Sequence, residues 1–362
     1  MNSFEEIFTL RYNTLYYASA IIVLILVIEF YYKKNATGKL QNILLPILLL
    51  IIVFLFGSRG MEVGIDTPNN VKYFNGEVQI ASISDVKDIG LYLVSVVSSN
   101  FFKSTDSFLT LLSILYILPI YIGIRNLKLN NPLIFFFILF SFFFFKNMGI
   151  NTQRQGLAFS LFFCGVTYFI INKKYISYLL FGLSFLFHAS FVLPITIFII
   201  IKKSQTLYLP IIFYLTATIL ALINFPFDKV LSKIPYVNLF FEDRLAIYFD
   251  DIGNYQIGFR ASFWFFNTVF AIVGIYTYKN LNKLNMDKQL YFRFLSSFLY
   301  LSGFFFLMFS ARFSDRTGFL SWLFIPFLLY PFVTSYRNLG LLNIFSVFIL
   351  LVSISTIFKF FL

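Results

Sequence analysis

Apolar runs close to the length of a bilayer recur from one end of the chain to the other, and nothing else constrains the fold as strongly. A membrane-crossing helix needs about 20 predominantly apolar residues. Runs of that kind, some shorter, occur at about 15–31, 42–57, 108–124, 132–146, 153–171, 175–187, 189–201, 207–224, 261–278, 290–309, 317–333 and 341–358. They do not alternate apolar with polar residues as barrel strands do. Only 12% of the 362 residues are charged, against about a quarter in a soluble domain. The expected fold is an all-α integral membrane protein with about 12 transmembrane or re-entrant helices, forming one polytopic domain over residues 1–362.

The net charge of +12 sits largely in lysines between apolar runs. That placement reads as membrane topology, with an anionic ligand second and nucleic acid not implied. With the first helix running outside to inside, the inner connections carry Lys33, Lys34, Lys39, Arg125, Lys128, Lys173, Lys174, Lys202, Lys203, Lys279, Lys283, Lys288 and Arg337. The pattern holds only if 175–201 goes out and returns, which places a turn at His188 on the outer side. The lone cysteine, Cys164, lies in an apolar run and reads as a packing residue.

The outer connections include two long ones, 58–107 and 225–260. Asp88 to Phe102 in the first is semi-apolar and is expected to lie along the membrane interface as a helix. In the second, Tyr236, Phe240, Phe241, Tyr248, Phe249 and Tyr255 alternate with acids and arginine. That mixture suits sugar faces and suits an aromatic interfacial belt equally.

Between the runs ending at Phe145 and beginning at Leu157 lies a polar stretch, Lys146 to Gly156, containing Arg154. A charge near the bilayer centre costs about 2.5–3.5 kcal/mol on insertion scales, so such residues line cavities or lie at surfaces for a reason. The outer side gathers Arg59, Asp66, Arg154, His188, Arg244, Arg260, Arg312, Asp315 and Arg316. Arginine predominates, and its planar fork grips phosphate or carboxylate at two points where lysine offers one.

The chain lacks a P-loop, a dinucleotide-binding glycine loop, an HExxH helix, a paired-cysteine motif and a nucleophile elbow. Asp250-Asp251 is the nearest approach to a paired-acid metal motif, and no metal or cofactor is expected. What remains fits a reaction with an anionic leaving group. Arginines would stabilise a departing diphosphate, and a His or Asp would take a proton from the attacking hydroxyl. Asp66 among arginines would be held charged and would be a weak base, suited to positioning; His188 is the expected base.

Several elements resemble the EpsG-type, Wzy-like bacterial polysaccharide polymerases. Gly57-Ser-Arg59 through Val63-Gly64-Ile-Asp66-Thr, then Tyr73, is similar to the family's R…VGxD(T/Y)…Y element. Asp88-Ile-Gly90-Leu-Tyr92 resembles its acidic-x-Gly-aromatic element, although Asp88 stands where Glu is commoner. Arg154-Gln155-Gly-Leu-Ala158 resembles the RQxxA helix start, Phe187-His188-Ala-Ser190 the FHxS element, and Arg312 and Arg316 the late arginines.

The resemblance implies a class-C-glycosyltransferase-like helical architecture in the cytoplasmic (inner) membrane of a bacterium. It implies joining of oligosaccharide repeat units carried on undecaprenyl diphosphate, at the outer face, with release of undecaprenyl diphosphate. Donor and acceptor would both be lipid-linked glycans, and a chain-length regulator and a flippase are expected partners. With the outward set, these elements give His188 and Asp66 as catalytic candidates. Arg59, Tyr73, Arg154, Gln155, Arg244, Arg312, Asp315 and Arg316 are candidates for diphosphate or sugar binding. Arg244 matches no family element and rests on its chemistry alone.

Two other classes fit parts of the pattern. A lipid-linked glycan flippase needs arginines for diphosphate but spreads them along a pore between both faces. A membrane O-acyltransferase uses a His on sugar hydroxyls but needs a cytoplasmic path for its acyl donor, and the inner connections are short.

Overall fold

A computed structural model gives the fold, and describes residues 3–32, 38–64, 66–78, 89–201, 206–231, 233, 257–281, 287–311 and 314–335. Every regular element among the described residues is helical. The chain divides into two compact units that meet between Phe191 and Val192.

The first unit contains α1 (Ser3–Tyr32), α2 (Gly38–Gly57), α3 (Thr67–Phe74), α4 (Ile89–Phe101), α5 (Thr105–Asn126), α6 (Pro132–Ser141), α7 (Phe143–Ile150), α8 (Gln153–Ile170) and α9 (Lys174–Phe187). At its centre, α8 packs on α5, α7 and α9. Almost every α8 side chain is buried, as expected of a helix that is apolar on all sides. Beside it α6 is buried along most of its length, including Phe135, Phe136, Phe137 and Phe140. Phe142, Phe144 and Phe145 at the α6–α7 junction are buried packing residues as well.

The second unit contains α10 (Val192–Ile200), α11 (Tyr208–Leu222), α12 (Phe227–Leu231), α13 (Ala261–Asn280), α14 (Lys288–Leu307), α15 (Asp315–Trp322) and α16 (Ile325–Ser335). Its centre is α14, which packs on α10, α11, α13, α15 and α16. A polar knot ties three of these helices. Asn267 of α13 is fully buried; its Oδ1 accepts from Ser302 of α14 at 2.9 Å and from Ser321 of α15 at 3.3 Å, while its Nδ2 donates to the Phe263 carbonyl.

Among the described residues, five helices are long and apolar enough to cross a membrane: α1 (Arg11–Glu29), α2, α5, α13 and α14. The bent pairs α6/α7 and α15/α16 raise the number to as many as seven. The described residues thus make an all-α membrane protein with fewer full-length spans than the twelve runs suggest, because several runs fold as short or broken helices.

Three breaks show how this happens. The run 317–333 was expected as one helix and is interrupted at Leu323–Phe324. Pro326 explains it: proline has no N–H and would clash with the carbonyl four residues back, so it sits in the first turn of a new helix. Pro194 acts in the same way on 175–201. There α9 stops at Phe187, His188 is extended (φ −159°, ψ 110°), Ala189–Phe191 form a 3₁₀ turn, and α10 restarts at Val192.

The run 132–146 was also expected as one helix, and it breaks at Phe142 (ψ 135°) without any proline there. In a continuous helix the Phe140 carbonyl would accept from residue 144; here the Tyr16 hydroxyl of α1 donates to it at 2.9 Å. A freed carbonyl in an apolar interior needs such a partner.

The helix expected over Asp88–Phe102 is α4. Its buried residues are Gly90, Leu91, Ser95 and Ser98, while Leu93, Val96, Val97 and Phe101 are exposed. Apart from Leu91, the buried residues are small or hydroxyl-bearing, and most of the exposed ones are apolar, the reverse of a helix on a soluble protein. Asp88 lies outside the described residues, as do Arg244, Arg312, most of the 225–260 connection and the run 341–358.

Candidate active site

The family-like elements of the first unit are brought together around α8. The turn between α2 and α3 docks on the α7–α8 junction. Thr67 is fully buried, and its hydroxyl lies 2.8 Å from the Val63 carbonyl and 3.3 Å from that of Ile150, the last residue of α7. Gly64 has φ +99°, and a Cβ there would lie 2.4 Å from the Ile150 carbonyl oxygen. Both the backbone conformation and the closeness of α7 require glycine. One turn further, Asn70 of α3 donates to the side-chain carbonyl of Gln153, the first residue of α8.

This docking sets the turn that carries Asp66 against the α7–α8 junction. Asp66 occupies the N-cap position of α3, yet its side chain makes no capping hydrogen bond. The carboxylate is half-buried. Tyr73, on the last turn of α3, is also half-buried.

The polar stretch Lys146–Gly156 becomes the last turn of α7, a two-residue turn and the first turn of α8. Asn151 and Thr152 both donate their amides to the Asn147 carbonyl, at 2.7 and 3.0 Å, which reverses the chain. Arg154 and Gln155 therefore stand in the first turn of α8, Arg154 half-buried and Gln155 buried. The hydroxyl of Thr152, at the N-cap, makes no hydrogen bond to the first-turn amides. The N-terminal end of a helix carries a partial positive charge, and Arg154 adds a full one. Chemically this is an anion-attracting end.

His188 is positioned from below by α9. Ser184 of α9 donates to the Ala158 carbonyl of α8 at 2.7 Å, fixing the two helices against each other. The ring of Phe187 packs over Gly90 of α4, where a Cβ would lie 2.9 Å from it. The His188 ring is half-buried, its Nδ1 lies 2.6 Å from the Ser190 hydroxyl, and its edge faces Phe191 at 6.5 Å between centroids. The FHxS spacing thus has a local meaning: its serine holds one nitrogen of its histidine.

Arg59 is placed differently from the other candidates. It is only 3% exposed, and its guanidinium donates to the Phe56 carbonyl and, through Nε, to the Thr67 hydroxyl at 3.4 Å. Burial pushes its pKa down to about 10, with Tyr12 opposing the shift. At least part of its role is to hold the α2–α3 turn.

In the second unit, Asp315 and Arg316 open α15, the acid half-buried and the arginine exposed. Among the described residues no three His, Cys, Asp or Glu side chains gather as metal ligands. Sequence reasoning overlooked Asn70, Gln153 and Ser184, the polar side chains that join the elements. Their signal was available as polar residues at helical spacing inside apolar runs.

No curated protein and no solved structure matches the chain. The family model described as "EpsG family" matches residues 42–362, which takes in most of the chain and all the elements above. With its apolar helices and a match over that length, the chain is a multi-pass membrane protein of polysaccharide biosynthesis and belongs to the EpsG family.

Proposed function

We propose that this protein is a polysaccharide polymerase, a membrane glycosyltransferase joining oligosaccharide repeat units linked to undecaprenyl diphosphate. It works at the outer face of a bacterial cytoplasmic membrane and releases undecaprenyl diphosphate. The observation that carries this reading is the docking of the Asp66 turn onto the arginine-bearing start of α8, through Asn70–Gln153 and Thr67–Ile150. It gathers an acid and an anion-attracting helix end in one family-matched unit.

In this reading Arg154 and the end of α8 receive the diphosphate, with Arg316 and Arg312 serving the same purpose. The outer connections, Arg244 included, meet the sugars, with Tyr73 and Gln155 lining the approach. His188 takes the proton of the attacking hydroxyl as the new glycosidic bond forms and the bond to diphosphate breaks. Asp66 orients that hydroxyl, and its lack of any capping bond leaves the carboxylate available for this. The reaction proceeds without a metal, since charge on the leaving group is met by arginine.

The short and broken helices complete about twelve transmembrane or re-entrant segments, in a class-C-like arrangement. Regions 58–107 and 225–260 lie outside, and α4 lies at the interface with Leu93, Val96 and Val97 toward lipid. A chain-length regulator and a flippase work beside it.

The deciding experiment is incubation of the purified protein, in lipid, with a lipid-linked repeat unit. The expected result is a ladder of lipid-linked oligomers. A unit that only changes sides of the membrane identifies a flippase, and an acylated unit an O-acyltransferase; either overturns the polymerase reading.

A further inference from the structure

Lys146 stands one residue before the carbonyl on which the α7–α8 reversal turns, and α1 holds its charge. Its Nζ donates to the Asn13 side-chain oxygen and lies 5.9, 5.6 and 5.6 Å from the ring centroids of Tyr12, Tyr16 and Tyr17. Each distance is within reach of a cation–π attraction, which strengthens where water is excluded. The lysine is half-buried, and Tyr12 and Tyr16 are buried. Tyr12 and Tyr16 are one helical turn apart, as are Asn13 and Tyr17, so the four residues make one face of α1. An ammonium inside a membrane is costly unless it is matched, and this face matches it.

The place of Lys146 in the chain gives this box a purpose. Helix α7 has eight residues, too few to be stable by itself. Its neighbours hold it. Tyr116 of α5 donates to the Phe145 carbonyl at 3.0 Å, and the Phe56 ring of α2 lies so close to Gly149 that a Cβ there would overlap it. Lys146 ties α7 to α1. The next residue, Asn147, accepts both amides of the reversal, Asn151 and Thr152, at its carbonyl. Its side-chain oxygen accepts from the Asn151 side-chain amide at 2.6 Å. Arg154 follows in the first turn of α8. A rotation of α7 about its axis would move the Asn147 carbonyl and with it the start of α8. Lys146 in its box resists that rotation.

We propose that Lys146 is a positioning residue for Arg154: boxed by α1, it fixes α7 and, through Asn147, sets the first turn of α8. Helix α1 precedes the segment that the family model matches, yet through this box it takes part in the candidate site. The proposal rests on the reading of Arg154 as the group that meets the diphosphate.

The test uses the full-length protein in nanodiscs of neutral lipid, and amide hydrogen exchange reads the reversal directly. Lys146→Met keeps an unbranched side chain and removes the charge. Peptides covering Asn151 and Thr152 are expected to exchange about tenfold faster in it, a loss in the range of a desolvated cation–π contact. Peptides from the middle of α8 exchange as in the wild type. Lys146→Arg, whose guanidinium also stacks on aromatic rings, restores the slow exchange. Tyr17→Leu removes the most exposed of the three rings and gives the same local rise at smaller size. It decides the matter where Lys146→Met does not fold.

Chain formation from a lipid-linked repeat unit is the second readout. Lys146→Met lowers it at least about tenfold, since small misplacements of a positioned group cost this much or more. In an Arg154→Gln background the same substitution lowers it no further, because Lys146 acts through Arg154. Unchanged exchange at the reversal in Lys146→Met or, where that variant does not fold, in Tyr17→Leu overturns the proposal. So does faster exchange spread evenly over the whole unit, a Lys146→Arg protein that behaves as Lys146→Met does, or a further loss of chains in the Arg154→Gln background. A wild type that forms no chains overturns the polymerase reading alone; the exchange readout needs no substrate and still decides whether Lys146 sets the reversal.

Discussion

The side-chain amide of Asn70 donates to the side-chain carbonyl of Gln153, joining the short helix after the VGxD element to the first residue of α8. Both residues are buried, and Gln153 donates in turn to the Gly149 carbonyl at 3.3 Å. Removing one partner leaves the other unsatisfied at a cost of about 1–3 kcal/mol, whereas removing both costs less than the sum. Asn70→Ala and Gln153→Ala are each expected to lower thermal stability, and the double variant to show a favourable coupling energy of about 1 kcal/mol. Additive losses in a double-mutant cycle would show the two helices to be held independently.

Gly64→Ala is expected to be among the most damaging small substitutions. The position has φ +99°, and the new methyl would meet the Ile150 carbonyl oxygen at 2.4 Å. Strain of this kind costs about 1–3 kcal/mol, and the turn bearing Asp66 should shift with it. Gly182→Ala is the control: it lies within α9 with open space around it, so it should be neutral or slightly stabilising. Equal unfolding temperatures for the two variants would contradict the tight docking described above.

Tyr16→Phe tests the break at Phe142. The variant keeps the ring but removes the donor to the Phe140 carbonyl. In membrane proteins single hydrogen bonds average about 0.6 kcal/mol, with a maximum near 1.7. A loss toward the upper end is expected, because the freed carbonyl has no helical partner. Unfolding in detergent of Tyr16→Phe against Tyr17→Phe measures it, and an unchanged Tyr16→Phe would mean that another group satisfies the carbonyl.

His188→Gln and Arg154→Lys test the proposed chemistry. Glutamine can keep a hydrogen bond to Ser190 but cannot take up a proton. The expected result is a folded protein that binds substrate and forms chains about a hundredfold more slowly, the low end of general-base contributions. Lysine at 154 keeps the charge but loses the two-point grip, so turnover should fall while stability holds. Wild-type rates in either variant would remove that residue from the mechanism.

Much of the helical layout could be read directly from the apolar runs, since the expected spans and the observed helices agree within a few residues at most ends. The breaks at His188 and Leu323 were written in local chemistry, in Pro194 and Pro326. The break at Phe142 was not, because its partner, Tyr16, lies far away in sequence. The same distance hid the role of α1. Its first turns look polar on paper, yet Tyr12 and Tyr16 share a face that only packing against Phe56 reveals. The burial of Arg59 against the Phe56 carbonyl and Thr67 was not legible either, because composition shows charge but not burial. Asp66, Arg154 and His188 were legible as residue types in order; the hydrogen bonds that dock their elements were not.

The knot around Asn267 has a consequence for biogenesis. Of the five candidate spans, α13 is the least apolar, and it carries a side-chain amide that lipid cannot satisfy. Both serines that Asn267 accepts from are synthesised later, Ser302 on α14 and Ser321 on α15. Until those helices leave the ribosome, α13 would rest in the bilayer with the amide oxygen of Asn267 unmatched, its Nδ2 alone being served within the helix by the Phe263 carbonyl. The segment should therefore linger at the insertion machinery and enter the membrane together with α14 and α15, making these three helices a unit of insertion as well as of packing.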